Sequence, residues 1–122
     1  MIGCSDLIEA FRVVIALPGV EIWRRRQGPR FCAEHFRARG KRSALRSAER
    51  RRRLKNLIHA IDRRLPDGGN CYRRALLELA LDPTAAAEPL VFGLKKGGGS
   101  GSGHAWLGDA RGFETYDAEF RL

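Results

Sequence analysis

The hydrophobic period of this chain changes once, at Asp82-Pro83, and that change governs what it can fold into. Up to Leu81 the apolar residues recur at helical spacing. From Glu88 onward they alternate, as on a half-buried strand. Helices followed by a small antiparallel sheet make an α+β arrangement. At 122 residues the chain fits one domain, 1–122, with a basic helical part over 1–64 and the remaining helix plus sheet over 65–122.

The helical part divides at its glycines and prolines. Asp6 and Glu9 form a capping box for a first helix, in which Leu7, Ile8, Ala10, Phe11, Val14 and Ile15 follow at helical spacing and Pro18-Gly19 makes the stop. A ragged basic stretch from Trp23 to Arg30 leads to a short amphipathic piece over Phe31 to Phe36, ended near Gly40. Ser43 to Arg64 is the clearest helix, with Leu45, Ala48, Leu54, Leu57, Ile58, Ile61 and Leu65 along one stripe and arginines opposite. Leu65-Pro66-Asp67-Gly68-Gly69 breaks it, and a further helix is predicted from about Asn70 to Leu81. Strands are predicted over Glu88 to Lys95, His104 to Gly108 and Phe113 to Phe120. A Gly/Ser loop, Lys96 to Gly103, precedes the second, and a tight turn at Asp109-Ala110-Arg111-Gly112 joins the last two.

Composition narrows the function classes. Residues 24–64 hold 16 Lys/Arg against three acids, a local charge of +13 in a chain of +9, so the rest carries −4. Such a basic front raises nucleic acid or another polyanion as partner. No helix-turn-helix signature or set of stacking aromatics accompanies the arginines, and a charge run is most often a solvated face, so nucleic acid is not the expected partner. The longest apolar run, Val13 to Leu17, is too short for a membrane span, and acids stand where a secretion signal needs cations. Cys4, Cys32 and Cys71 form no paired framework, which makes the reducing cytoplasm the expected compartment. No metal site is implied, because Cys-x-x-Cys and His-x-x-x-His pairs are missing. The glycines of 97–103 lack the Gly-Lys-Ser/Thr ending of a phosphate loop.

Among the cysteines, only Cys71 has a reactive setting. It follows Gly68-Gly69-Asn70 at a predicted first helical turn, where backbone N–H groups and the helix dipole favour a thiolate and can hold an oxyanion. The two glycines leave room for a substrate, and Arg73 and Arg74 add positive charge. A thiol nucleophile needs a base, and the base an orienting acceptor. His104 opens a strand. If that strand pairs with the next about a turn centred between Ala110 and Arg111, facing positions add to 221 and Asp117 stands across from His104. Each residue also has an inert alternative: a packed thiol, a packed imidazole and a strand-edge charge. His35 and His59 are weaker candidates, since both lie among arginines.

The stretch from Leu65 to Asp117 resembles the transglutaminase-like leader peptidase of lasso-peptide biosynthesis, the C-terminal half of the B protein. Leu65-Pro66, then Cys71 and Arg74-Ala75-Leu76, resemble its nucleophile helix. Leu90-Val91-Phe92-Gly93-Leu94 resembles its apolar strand with an internal glycine, and His104-Ala105-Trp106-Leu107 its His-Ala-Trp block. Tyr72 and Gly108-Asp109 depart from the family pattern. The resemblance implies a papain/transglutaminase-like fold and hydrolysis of one peptide bond, releasing leader from core before macrolactam closure. Cys71 would be the nucleophile, His104 the general base and acid, and Asp117 the orienting carboxylate, without a cofactor. The implied partners are the precursor peptide, a separate leader-binding protein and an ATP-dependent cyclase. Another thiol amidase or acyl-transfer enzyme on the same scaffold, and a basic binding module with an incidental thiol, are the alternatives.

Overall fold

A computed structural model describes residues 4–94, 103–108 and 118–122. Helices α1 (Cys4–Arg26), α2 (Pro29–Lys41), α3 (Ala48–Arg63), α4 (Cys71–Leu81) and α5 (Pro83–Ala86) precede strands β1 (Leu90–Leu94), β2 (Gly103–Leu107) and β3 (Ala118–Arg121). The architecture is α+β, as the change of period implies. Among the described residues no helix is long and apolar enough to cross a membrane.

Helix α1 does not stop at Pro18-Gly19 but carries Pro18 in its interior and continues to Arg26. Pro18 costs the helix one N–H bond. It sits on the exposed side, while Val20 beyond it is fully buried and Trp23 packs on the core. Burial of those two side chains carries the helix through. The apolar residues that mark α1 in the sequence are also not the ones it buries: Leu7, Ile8, Phe11, Val14 and Ile15 are exposed, while Val13, Ala16 and Val20 enter the core.

Helix α2 begins at Pro29, which fits a first position where its missing donor is not needed. Its Gly40 crosses α4 so closely that a Cβ there would run into the carbonyl oxygen of Leu79. Helix α3 starts at Ala48 rather than Ser43, with Ser47 Oγ accepting from the Arg50 amide at 3.2 Å. Residues 43–47 are drawn out of helical form by Arg46. Its buried guanidinium binds both carboxylate oxygens of Glu9, at 2.7 and 3.1 Å, and the carbonyl of Leu81. Leu45 consequently leaves the predicted stripe and is 79% exposed, while Leu54 and Ile58 keep their core places.

Helix α4 is the centre of the molecule, with Leu76, Leu77, Leu79 and Ala80 all fully buried. It packs against α1, α2, α3 and β2. After Asp82 the chain forms the short α5, which the sequence reading did not include.

The sheet corrects one expectation that bears on the site. Among the described residues its order is β2-β1-β3, antiparallel throughout, so the described β2 and β3 are not neighbours. His104 faces Gly93 of β1, and Gly93 faces Glu119 of β3 on the other side. By the rule that facing positions add to 221, Ala118 would face Gly103, but both face Leu94 instead. Leu90 and Val91, both fully buried, give β1 the most apolar start of the three strands, and it takes the middle, where both of its edges are paired. Leu90 and Leu122 extend the β1–β3 ladder with two backbone bonds of 2.8 and 2.7 Å. Arg37 of α2 ties this end down by donating to the carbonyls of Ala86, Glu88 and Leu122.

Candidate active site

The site starts at the junction of α3 and α4. Asp62, in the last turn of α3, is buried and accepts from the Gly69 amide at 2.9 Å and from Arg73 Nε at 2.8 Å, with Arg73 Nη2 also bound to it. Arg73 is itself 1% exposed and reaches Asp67 at 2.7 Å and Glu21 of α1 at 3.3 Å. One buried carboxylate and one buried guanidinium thus hold the loop between the helices. The glycines here serve the loop rather than a substrate. A Cβ on Gly68 would press on the carbonyl oxygens of Asp62 and Arg63, and Gly69 has φ +85°, which glycine alone adopts freely. Arg73 is likewise committed to the network and supplies no free charge to the thiol.

This loop delivers Cys71 as the first residue of α4. Asn70 caps the helix, its side-chain oxygen accepting from the Arg73 amide at 2.9 Å. The half-buried Cys71 Sγ accepts from the backbone N–H of Ala105 in β2 at 3.3 Å. Strand β2 lies at the sheet edge, so this amide points away from the ladder and toward α4. A hydrogen bond to sulfur and the N-terminal end of a helix dipole meet at one thiol. The residue before Ala105 is His104, exposed, with its ring stacked on that of Trp106 (centroids 5.9 Å apart, planes at 27°).

Cys71 and His104 open onto the same cleft of about 410 Å³. Its walls come from one face each of two helices, Arg51, Lys55 and His59 of α3 and Cys71, Arg74, Ala75 and Glu78 of α4. Ala85, Glu88 and β2 residues 104–107 complete them. A cysteine at a helix N-terminus is thus bonded to a strand that also carries a histidine, and thiol and imidazole line one cleft. Compared with protein families, residues 14–116 match the Transglutaminase-like superfamily. The chain belongs to that superfamily. Comparison with curated proteins and with solved structures gave no match.

The transglutaminase-like superfamily includes cysteine peptidases and transglutaminases, so the fold is one built for thiol chemistry at acyl carbons. Asp117 lies outside the described residues. The sequence reading missed how charged the cleft is. Partial desolvation in the cleft lowers the His59 imidazole from its ordinary range, with the charge of Arg74 adding to the effect. Burial pushes the Glu78 carboxyl up. Lys55, with Nζ 3.7 Å from it, offsets part of this, while Asp82 and Glu88 reinforce it. Arg51 is committed to Asp82 at 2.8 Å. The signal for these residues was available: Arg51, Lys55 and His59 repeat every four residues, and Glu78 stands two turns from Cys71 on the same helix face. Among the described residues no cluster of three or more His, Cys, Asp or Glu is arranged to hold a metal ion.

Proposed function

We propose that this protein is a cysteine peptidase that cuts the leader from a lasso-type precursor peptide. The observation that supports the enzymatic reading is the Cys71–Ala105 hydrogen bond, together with the cleft that Cys71 and His104 both line. The choice of substrate rests on the His104-Ala105-Trp106-Leu107 block and the Cys71 helix, which resemble the lasso leader peptidase.

The chemistry follows from the residues. The Cys71 thiolate adds to the carbonyl carbon of the scissile bond, and the carbonyl π pair moves onto oxygen, where first-turn amides of α4 can stabilise it. Collapse of this adduct breaks the C–N bond. The core's new amino group leaves with a proton from the His104 imidazolium, and the leader remains as a thioester on Cys71. Water, deprotonated by His104, then attacks the thioester, the C–S bond breaks, and leader carboxylate and free thiol result. Asp117 has the role of holding the imidazole in this scheme. A separate leader-binding protein and an ATP-dependent cyclase complete the pathway, in the cytoplasm. A related thiol acyl transferase would use the same first half and replace water with an amine.

The test is to incubate the precursor peptide encoded beside this gene with wild type and with Cys71→Ala, with and without the neighbouring leader-binding protein, and to read the products by mass spectrometry. A leader-sized product from wild type alone is expected. Identical behaviour of the two proteins under both conditions would remove the peptidase reading. A mass increase matching a primary amine supplied in the mixture would favour transfer over hydrolysis.

A further inference from the structure

Helix α1 carries apolar residues on two opposite faces. Val13, Ala16 and Val20 are fully buried on one. Leu7, Phe11, Val14, Ile15 and Ile22, with Ile8 beside them, lie on the other and are each more than half exposed, Phe11 at 65%. At 3.6 residues per turn the two sets stand about 180° apart. Between the levels of Leu7 and Ile22 the charged residues at its borders, Arg12 and Glu21, are both held in ion pairs, in a chain of which 30% is charged.

We infer that this stripe is the docking surface for a second copy of the chain, with α1 packed antiparallel on α1 about a two-fold axis level with Val14 and Ile15. The stripe is self-complementary about that level. Leu7 meets the level of Ile22, Phe11 that of the exposed Pro18, and Val14 that of Ile15, each pair of numbers adding to 29, while Ile8 at the border meets Glu21, which Arg24 already neutralises. The small residues at its borders, Ala10 and Gly19, obey the same relation. A two-fold interface requires this reciprocity, because residue i must meet j wherever j meets i.

The size fits as well. Six large side chains, each offering on the order of 100 Å², make roughly 600 Å² per copy. That is the upper end of the apolar patches that lone proteins expose, and it approaches the ~800 Å² per partner of a standard stable interface. A lipid surface fits less well, since helices lying on membranes carry cations along the borders of the apolar face. Arg12 is the basic residue bordering the middle of this stripe, and it is paired with Glu9 at 2.9 Å. The arginines at 24–26 are gathered at one end.

Sedimentation velocity of the full chain, from low to high micromolar concentration, tests the inference. The expected result is a concentration-dependent rise from 13.7 kDa to twice that mass. Added salt should tighten the dimer, because each copy carries +9 and the charges bordering the contact are already paired. Phe11→Glu and, independently, Ile15→Lys should weaken association about 30-fold or more, with the far-UV spectrum unchanged because both side chains are already exposed. The inference is overturned by a monomer at every concentration, or by a dimer that both variants leave intact. Co-sedimentation of a strictly monomeric wild type with anionic phosphatidylserine vesicles, lost in Phe11→Glu, would overturn it too and assign the stripe to lipid.

Discussion

Asp62 and Arg73 bear most directly on how the nucleophile is placed. Both are almost fully buried, and each is the other's principal countercharge. Removing Asp62 leaves the buried Arg73 with only Asp67 and Glu21 as countercharges, at a cost approaching that of a broken buried pair, about 3–5 kcal/mol. Asp62→Ala should therefore lower stability by that order in denaturant unfolding, whereas a loss under about 1 kcal/mol would show that the network is dispensable. Because Asp62 also holds the Gly69 amide, the same variant should slow Cys71 chemistry beyond the effect of unfolding. At this scale the sequence was readable where function is local. A cap residue, a following cysteine and a strand-opening histidine sit within a few residues of their structural causes. The Asp62–Arg73 bond was not readable, since both side chains look like members of a basic surface run until α3 and α4 are folded together. Asp117 was argued from a turn, and turn chemistry does not say which strands become neighbours.

Elements were legible where one face is apolar and the other polar. Helices α3 and α4 have that pattern, and α4 falls within a residue of its expected bounds. Helix α1 does not, because it is apolar on both faces, and Pro18 was read as a stop although it only removes one bond on the solvent side. Two predictions belong at this scale. Gly40→Ala forces a methyl into the Leu79 carbonyl, so α2 must lift from α4. A loss of at least about 2 kcal/mol is expected in chemical denaturation, and a neutral result would mean that the helices can separate without penalty. Glu78 lies on the cleft face of α4. Its carboxyl is pushed above its ordinary range by burial, so the folded state prefers the neutral form. That preference adds stability at pH below the ordinary value of 4.5 and is lost as pH rises through the raised folded value. Glu78→Gln should thus raise the melting temperature at pH 7 to 8, with the gain shrinking toward pH 4. A variant that is less stable at neutral pH would show that the Lys55 contact outweighs burial.

For the whole molecule, the two parts read from the period of the sequence meet where the chemistry lies. The helical part supplies the cleft wall on α3 and Cys71 on α4. The sheet contributes an edge strand whose amide binds the thiol and whose histidine stands next in the chain. The +13 stretch is partly consumed in building this arrangement, with Arg24, Arg46 and Arg51 each bound to an acid. That explains why the charge run pointed toward polyanions while the fold points to acyl chemistry. The central claim, that Cys71 is a nucleophile activated beside His104, is tested most directly by iodoacetamide alkylation at pH 6, mapped by peptide mass spectrometry in wild type and in His104→Ala. Cys32 serves as the internal reference, being fully buried with its thiol donating to the Trp23 carbonyl at 3.2 Å. The account predicts that Cys71 is alkylated at least ten times faster than a free cysteine in wild type, that His104→Ala removes this advantage, and that Cys32 stays unmodified. Alkylation of Cys71 at the rate of a free cysteine, unchanged by His104→Ala, would contradict it.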